Sequence, residues 1–272
     1  MAGLAPNTER AYRSDWADFE RWCTARGEPA LPAPAVSVAA YLDARRSGLR
    51  AATIRRRAAA IGRLHRDAGF PSPVGDAAVR LVLLRAEWSE HERDPRTVPL
   101  GPREVEAMTC ALPATRAGAR DRALLLIGYG AGLRRSELAA LDVRDVRVRH
   151  GSLEVSTRDR VVRIPPGSTP DLCAVAAWRT WRAYLSRSGP GFRPVHRSDR
   201  IASTRLSDRA VTSIVKRAAA GAGLDPSRYG GQSLRAGLLV TASGVGASEA
   251  AMMAQTGHRS RRQVRRTISP TV

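Results

Sequence analysis

The spacing of apolar residues divides the chain into a helical first part and a mixed second part. Tyr12, Trp16, Phe19 and Cys23 recur at i, i+4, i+7 and i+11, one face of a helix, with Thr8 as the expected N-cap and Gly27 as the stop. Val38, Tyr41 and Leu42 mark a second helix that stops at Gly48. Ile54, Ala58, Ile61 and Leu64 face inward on a third, Thr53 to Ala68, and Val79, Val82, Leu83 and Ala86 mark a fourth. Farther on, Ala119–Tyr129 contains the run ALLLI and reads as a buried helix, and Ser136–Leu141 begins another after a turn at Gly132. The helical period then gives way to three short strands, Val143–Val148, Leu153–Thr157 and Val161–Ile164, with a turn at His150-Gly151 and an end at Pro165-Pro166-Gly167. Leu172, Val175, Trp178 and Leu185 restore helical spacing. Ser207 caps a helix through Val211, Ile214 and Val215, and two more helices are expected over Ser233–Ser243 and Ala247–Gln255. The fold class is mainly α with a small antiparallel β-sheet.

The stretch EHERDPRTVP is polar, carries two prolines and lacks helical period. It predicts a linker over 90–98 between a helical domain, 1–89, and a mixed α+β domain, 99–272. Charge follows this division: residues 1–97 carry 16 basic and 12 acidic side chains, and residues 98–272 carry 29 and 13. The whole chain, 272 residues, has a net charge of +20, and Lys216 is its single lysine. So much arginine suits a polyanion, because the guanidinium fork matches phosphate in a bidentate way; a GC-rich genome also inflates arginine counts. The expected partner is double-stranded DNA, with Arg55, Arg56, Arg57 and Arg63 on the third helix as contacts, against the plainer reading of a solvated face.

Other classes are excluded. No apolar run is long enough to cross a membrane, and the N-terminus lacks the pattern of a secretory signal, so a cytoplasmic, nucleoid-associated protein is expected. Three scattered cysteines and five scattered histidines give neither a disulfide framework nor metal spacing, so no metal and no cofactor is expected.

Three segments carry candidate chemistry: Gly132-Leu133-Arg134-Arg135-Ser136-Glu137-Leu138, Gln232-Ser233-Leu234-Arg235-Ala236-Gly237, and Thr256-Gly257-His258-Arg259-Ser260 followed by RRQVRR. Each of the first two sets an arginine at a helix start, where guanidinium and helix dipole both favour an anion. Singly each is weak, since such an arginine is more often a cap partner or a surface ion pair. In this order, with 23 residues from Arg235 to His258, they resemble the tyrosine recombinase (phage integrase) family over nearly the whole chain. The segment TIRRRAAAIGRLHRDAGFPSP resembles the family's third core-binding helix.

The resemblance implies a SAM-like helical core-binding domain followed by a catalytic domain, the two closing on duplex DNA as a clamp, with self-association on the DNA. It implies phosphoryl transfer without a metal. A tyrosine attacks a DNA phosphate, two arginines stabilise the developing charge, a lysine protonates the leaving 5′-hydroxyl and histidines position groups. Arg134 and Arg235 fall on the arginine positions and His258 on the second histidine. Glu137 is expected to orient an arginine. Lys216 and Arg259 are further candidates for DNA contact.

Three positions depart from the family pattern. Thr267 stands nine residues after His258, where the resemblance places the tyrosine. Its alkoxide is a poorer leaving group than a phenolate of pKa ~10, and its side chain is shorter. Gln232 replaces the first histidine and cannot shuttle a proton near neutral pH. The hairpin has no lysine; Arg158 or Thr157 falls closest, and arginine does not donate a proton at useful pH. Five residues follow Thr267, fewer than in many members. The expectation is a recombination- and integration-associated DNA binder that does not cleave, a pseudoenzyme that regulates a site or survives from a mobile element. Two alternatives stand beside it. One is an active recombinase with a non-standard or partner-supplied nucleophile, for which Ser260, Thr267 and Ser269 are the nearby hydroxyls. The other is a helical regulator unrelated to recombinases. Tyr129, Tyr229, Trp16, Trp22, Trp178 and Trp181 are read as packing residues, and His65 and His150 as structural or surface residues.

Overall fold

The computed structural model describes residue 4 and residues 6–91 and 98–269. The chain divides into two compact units, residues 1–94 and 95–272. Of the stretch expected as a linker, Glu90 and His91 continue a helix, the Val98 N–H donates to the Arg228 carbonyl (2.8 Å), and residues 92–97 lie outside the described residues.

The first unit holds four helices: α1 (Pro6–Thr24), α2 (Ala35–Arg46), α3 (Ala51–Asp67) and α4 (Ala77–His91). Phe19, Cys23, Tyr41, Leu42, Ile54, Ile61 and Val79 form its core, all with no exposed surface. Helix α1 starts at Pro6, so Thr8 lies inside the first turn and is not the cap; proline at the first helical position gives up an N–H that has no partner there anyway. On α3 the buried stripe includes His65 while Leu64 stays half-buried. The ring of His65 explains this. Its Nε2 accepts from the Ala33 N–H (2.9 Å), so Nδ1 carries the proton and donates to the Ile61 carbonyl (2.8 Å).

The arginines of α3 are engaged within the unit. Arg56 grips Asp15 through two bonds (2.7 and 3.0 Å), Arg57 bonds Asp18 and the Tyr41 hydroxyl, Arg55 bonds Glu87, and Arg63 bonds Asp67 (2.7 Å). Arg57 is the least exposed of the four: its side chain is 15% exposed and faces two aspartates of α1. Burial opposes ionisation of Asp18, yet the hydrogen bonds from Tyr41 and Arg57 hold its carboxyl below the usual range. Burial and the Asp18 bond push Tyr41 up to about 12.

The second unit is built around α6 (Arg116–Gly130), whose Ala123–Ile127 segment is fully enclosed. Helices α5 (Pro102–Cys110), which the apolar spacing did not reveal, and α7 (Arg135–Ala140) flank it in sequence. The sheet follows, β1 (Val146–Arg149), β2 (Ser152–Ser156) and β3 (Val161–Ile164), antiparallel in the order β1-β2-β3. The first strand begins later than expected, because Val143–Asp145 is a 3₁₀ turn capped by the Asp145 carboxylate on the Asp142 N–H (2.8 Å). His150 and Gly151 both take positive φ (46° and 74°), as a tight two-residue hairpin demands. Helices α8 (Ala174–Arg182), α9 (Asp208–Gly221), α10 (Gly231–Gly244), α11 (Glu249–Thr256) and α12 (Arg261–Ile268) complete the unit. Trp178 and Trp181 are core, and Ser207 caps α9 through the Ala210 N–H (3.1 Å).

The entry to α10 is fixed by an adjoining backbone segment. The Leu100 N–H donates to the Ser233 carbonyl (3.0 Å), and a Cβ on Gly237 would lie 1.9 Å from the Leu100 carbonyl oxygen. Gly237 is therefore required by close approach, and with it the placement of Arg235 two residues earlier.

Two stability measurements check this account. Gly237→Ala is expected to lower the unfolding free energy by at least about 2 kcal/mol, as overpacking against backbone does. Arg57→Met is expected to cost about 1–2 kcal/mol, since it removes the charge-assisted bond to Asp18, which keeps Tyr41 and Arg45 as partners. Loss of DNA affinity at unchanged melting temperature in Arg57→Met would reverse the structural assignment.

Candidate functional site

The site forms where three loops of the second unit converge. Gly132 turns the chain at φ 57°, and a Cβ there would lie 2.7 Å from Thr256 and 2.8 Å from Leu238. The next turn delivers Arg134 to the N-terminus of α7. Glu137, three residues on, accepts from the Arg134 backbone N–H (2.7 Å) and from its Nη1 (3.0 Å). One carboxylate thus caps the helix and orients the first arginine.

Arg235 rises from the start of the second turn of α10 and is 4% exposed. Its Nη1 donates to the Gly132 carbonyl (2.8 Å) and to the Thr256 carbonyl, and stands 4.0 Å from Glu137 Oε2. Its Nη2 donates to His258 Nδ1 (3.1 Å). Burial and the neighbouring Arg134, opposed by Glu137, bring Arg235 down to about 10, so it remains a cation at neutral pH.

His258 follows the left-handed Gly257 (φ 70°) that ends α11. An arginine always donates, so Nδ1 is an acceptor and the imidazole proton sits on Nε2. The Thr256 hydroxyl lies 2.6 Å from the same Nδ1 and 2.6 Å from the Met252 carbonyl. Burial, then the charges of Arg235, Arg134 and Arg160, lowers the imidazole to about 4. At neutral pH the ring is uncharged with an Nε2–H donor. The cluster therefore offers two arginines and one neutral N–H, a set suited to the non-bridging oxygens of a phosphate.

The hairpin contributes Arg160, which the sequence reading did not single out. Its Nη1 and Nη2 reach Glu137 (3.0 and 3.4 Å) and its Nε donates to the Gln255 carbonyl (3.0 Å). Against burial, the bonds from Arg160 and the Arg134 backbone hold Glu137 below the usual carboxylate range. Arg158, the expected stand-in for the family's lysine, is exposed and lines a cleft of about 460 Å³ together with Ser136, Glu137, Asp145 and Asp159. The two differ in how the turn seats against the end of α11, where only Arg160 is held by Gln255.

The other expected residues stand apart from this cluster's hydrogen bonds. Gln232 is exposed at the start of α10. The Thr267 hydroxyl donates to the Gln263 carbonyl of its own helix (3.0 Å). Ser260 caps α12 through the Gln263 N–H (3.4 Å). Lys216 and Arg259 are exposed. Tyr229 is buried, and the Tyr129 hydroxyl bonds Thr241 (2.8 Å). No group of three or more histidine, cysteine or acidic side chains able to hold a metal occurs among the described residues, and no described helix is long and apolar enough to cross a membrane.

Residues 99–268 match the family model for the phage integrase family, and residues 2–68 match the model for its N-terminal SAM-like domain. The chain belongs to the phage integrase family. It is 32% identical to an integrase/recombinase xerD homolog of Selenomonas ruminantium, across 97% of this chain and 82% of that protein. It is 30% identical to a tyrosine recombinase of Synechococcus elongatus, across 89% and 79%. The match to tyrosine recombinase XerD of Ralstonia nicotianae is shorter, taking in 52% of that protein. Among solved structures, a lambda integrase fragment, a dimer bound to a COC′ core site, superposes at TM-score 0.67 with 18% identity, covering 98% of this chain and 90% of that one. The Tn1549 transposon integrase bound to transposon right end DNA superposes at 0.70 with 14% identity and the same coverage. At these identities the structural likeness speaks for the integrase fold, with its SAM-like unit and catalytic-type unit.

The tautomer of His258 makes a titration prediction. In the folded integrase-family chain its ring is expected to stay neutral until the pH nears about 4. A depressed folded pKa contributes stability that is present above about 6.5 and lost as pH falls through the folded value. Ring ¹⁵N shifts against pH check the first statement. The second predicts that His258→Gln flattens part of the stability loss between about pH 6.5 and 4. A His258 midpoint near 6.5 would contradict the assigned geometry.

Proposed function

We propose that this integrase-family chain binds duplex DNA at recombination sites and holds one backbone phosphate between Arg134, Arg235 and His258, without cleaving the strand. The observation that carries the reading is the convergence of two arginines and an Nε2–H imidazole around a single shared carboxylate. That half of the machinery binds phosphate and stabilises a pentavalent state. The other half is missing by residue type. Thr267 is bonded to its own helix, Gln232 has no proton to shuttle, and neither Arg158 nor Arg160 releases one at neutral pH.

In this reading residues 1–89 form a helical DNA-binding module and residues 99–272 carry the phosphate site, with Lys216, Arg259 and the exposed arginines of α12 on the DNA backbone. Copies self-associate on the DNA, and the protein works as a pseudoenzyme on a mobile element, occupying or shaping a site in the nucleoid.

The test is retention of sheared genomic DNA at ~150 mM salt with competitor, followed by a denaturing gel. A discrete enriched site and no covalent adduct are expected, with Arg235→Ala weakening retention at least about tenfold. An adduct that Thr267→Ala abolishes would establish an active recombinase instead. Retention without sequence preference would leave only generic affinity for polyanions.

A further inference from the structure

Arg160 spends its donors differently from Arg134 and Arg235. Its guanidinium closes as a fork on both oxygens of Glu137, its Nε is taken by the Gln255 carbonyl, and its side chain is 11% exposed. It seats against Gly257, where a Cβ would lie 2.6 Å from Nη1. Arg235 is held by carbonyl oxygens, which position a guanidinium without neutralising it. Glu137 Oε2 stands 4.0 Å from Arg235 Nη1, just beyond hydrogen-bond reach. Glu137 is held by Arg134 at the helix cap and by the Arg160 fork, and Arg235 is the third cation within its reach.

Resting on the reading of this cluster as a phosphate site, we propose that Arg160 is a positioning residue that occupies Glu137 and keeps that carboxylate from closing on Arg235. The charge of Arg235 and the Nε2–H of His258 then stay available to the phosphate. Without the fork, Glu137 needs a shift of only about 1 Å to pair with Arg235. That pair would cancel the charge that attracts the phosphate. A second role is separable from this one. Through Gln255, whose Nε2 donates to the Gly130 carbonyl (2.9 Å), Arg160 also braces the end of α11.

The experiment uses the full chain labelled with ¹⁵N, inorganic phosphate as the probe at pH 7, and the ring signals of His258 as the readout. Phosphate is expected to shift the wild-type signal, and Arg235→Ala to abolish the response. Those two results test the site itself. Arg160→Met is then expected to weaken phosphate binding about tenfold, the loss of one effective charge. Adding Glu137→Gln to Arg160→Met is expected to restore binding to within about twofold, since the amide oxygen still caps α7 but no longer competes as an anion. A brace would not be rescued in this way, and a mere count of charges would make Glu137→Gln alone bind about tenfold tighter, where the positioning role expects little change. Arg160→Lys keeps the charge but cannot grip both oxygens, and falls between. If Arg160→Met unfolds the chain, Arg160→Lys with and without Glu137→Gln carries the same comparison. The proposal is overturned if the Arg160 variant binds like wild type, or if the double variant stays as weak as the single one. Silence of the wild-type signal would remove the phosphate site first, and this proposal with it.

Discussion

The Glu137 carboxylate makes the rest of the site possible. Arg134, Arg160 and Arg235 gather around it, with His258 behind Arg235. Two guanidiniums about 5 Å apart repel by about 3 kcal/mol at an effective dielectric near 20, and a carboxylate about 4 Å from a guanidinium returns about 4 kcal/mol. The anion offsets part of the repulsion among the three arginines and leaves the cluster with a net positive charge. The same residue caps α7, so the electrostatics of the site and the local fold are fixed by one side chain.

Around this centre, small residues set distances. Gly132 lets the arginine-bearing turn approach Thr256 and Leu238, Gly237 lets α10 approach Leu100, and Gly257 leaves room for Arg160. Each lies within or beside a segment that carries site residues. The arrangement is one of backbone close approach, with carbonyl oxygens of Gly132, Thr256 and Gln255 completing what carboxylates would otherwise have to neutralise. Arg235, positioned by neutral acceptors, keeps its charge for a ligand.

Much of this was legible in the sequence. Apolar spacing located most helices and the three strands, and the order of the motifs placed Arg134, Glu137, Arg235 and His258, which the structure gathers in one cluster. What escaped depended on contacts between distant segments. Helix α5 is short and has few buried positions, so its period is faint. Arg160 and Arg158 are two residues apart on one hairpin, and only the seating of the hairpin against α11 separates them. The arginines of α3 pair with Asp15, Asp18 and Glu87, partners that the spacing along α3 does not reveal. A charge run on a helix does not say which acids of neighbouring helices will meet it.

The central claim is that a phosphate-holding half-site persists without the groups that attack and protonate. It is tested most directly by replacing single phosphates with neutral methylphosphonates across a bound DNA site, for wild type and Arg235→Ala. The account predicts one position per half-site where neutralisation costs wild type about tenfold, and where Arg235→Ala shows no further loss. Small, even losses at every position, the same in both proteins, would contradict it.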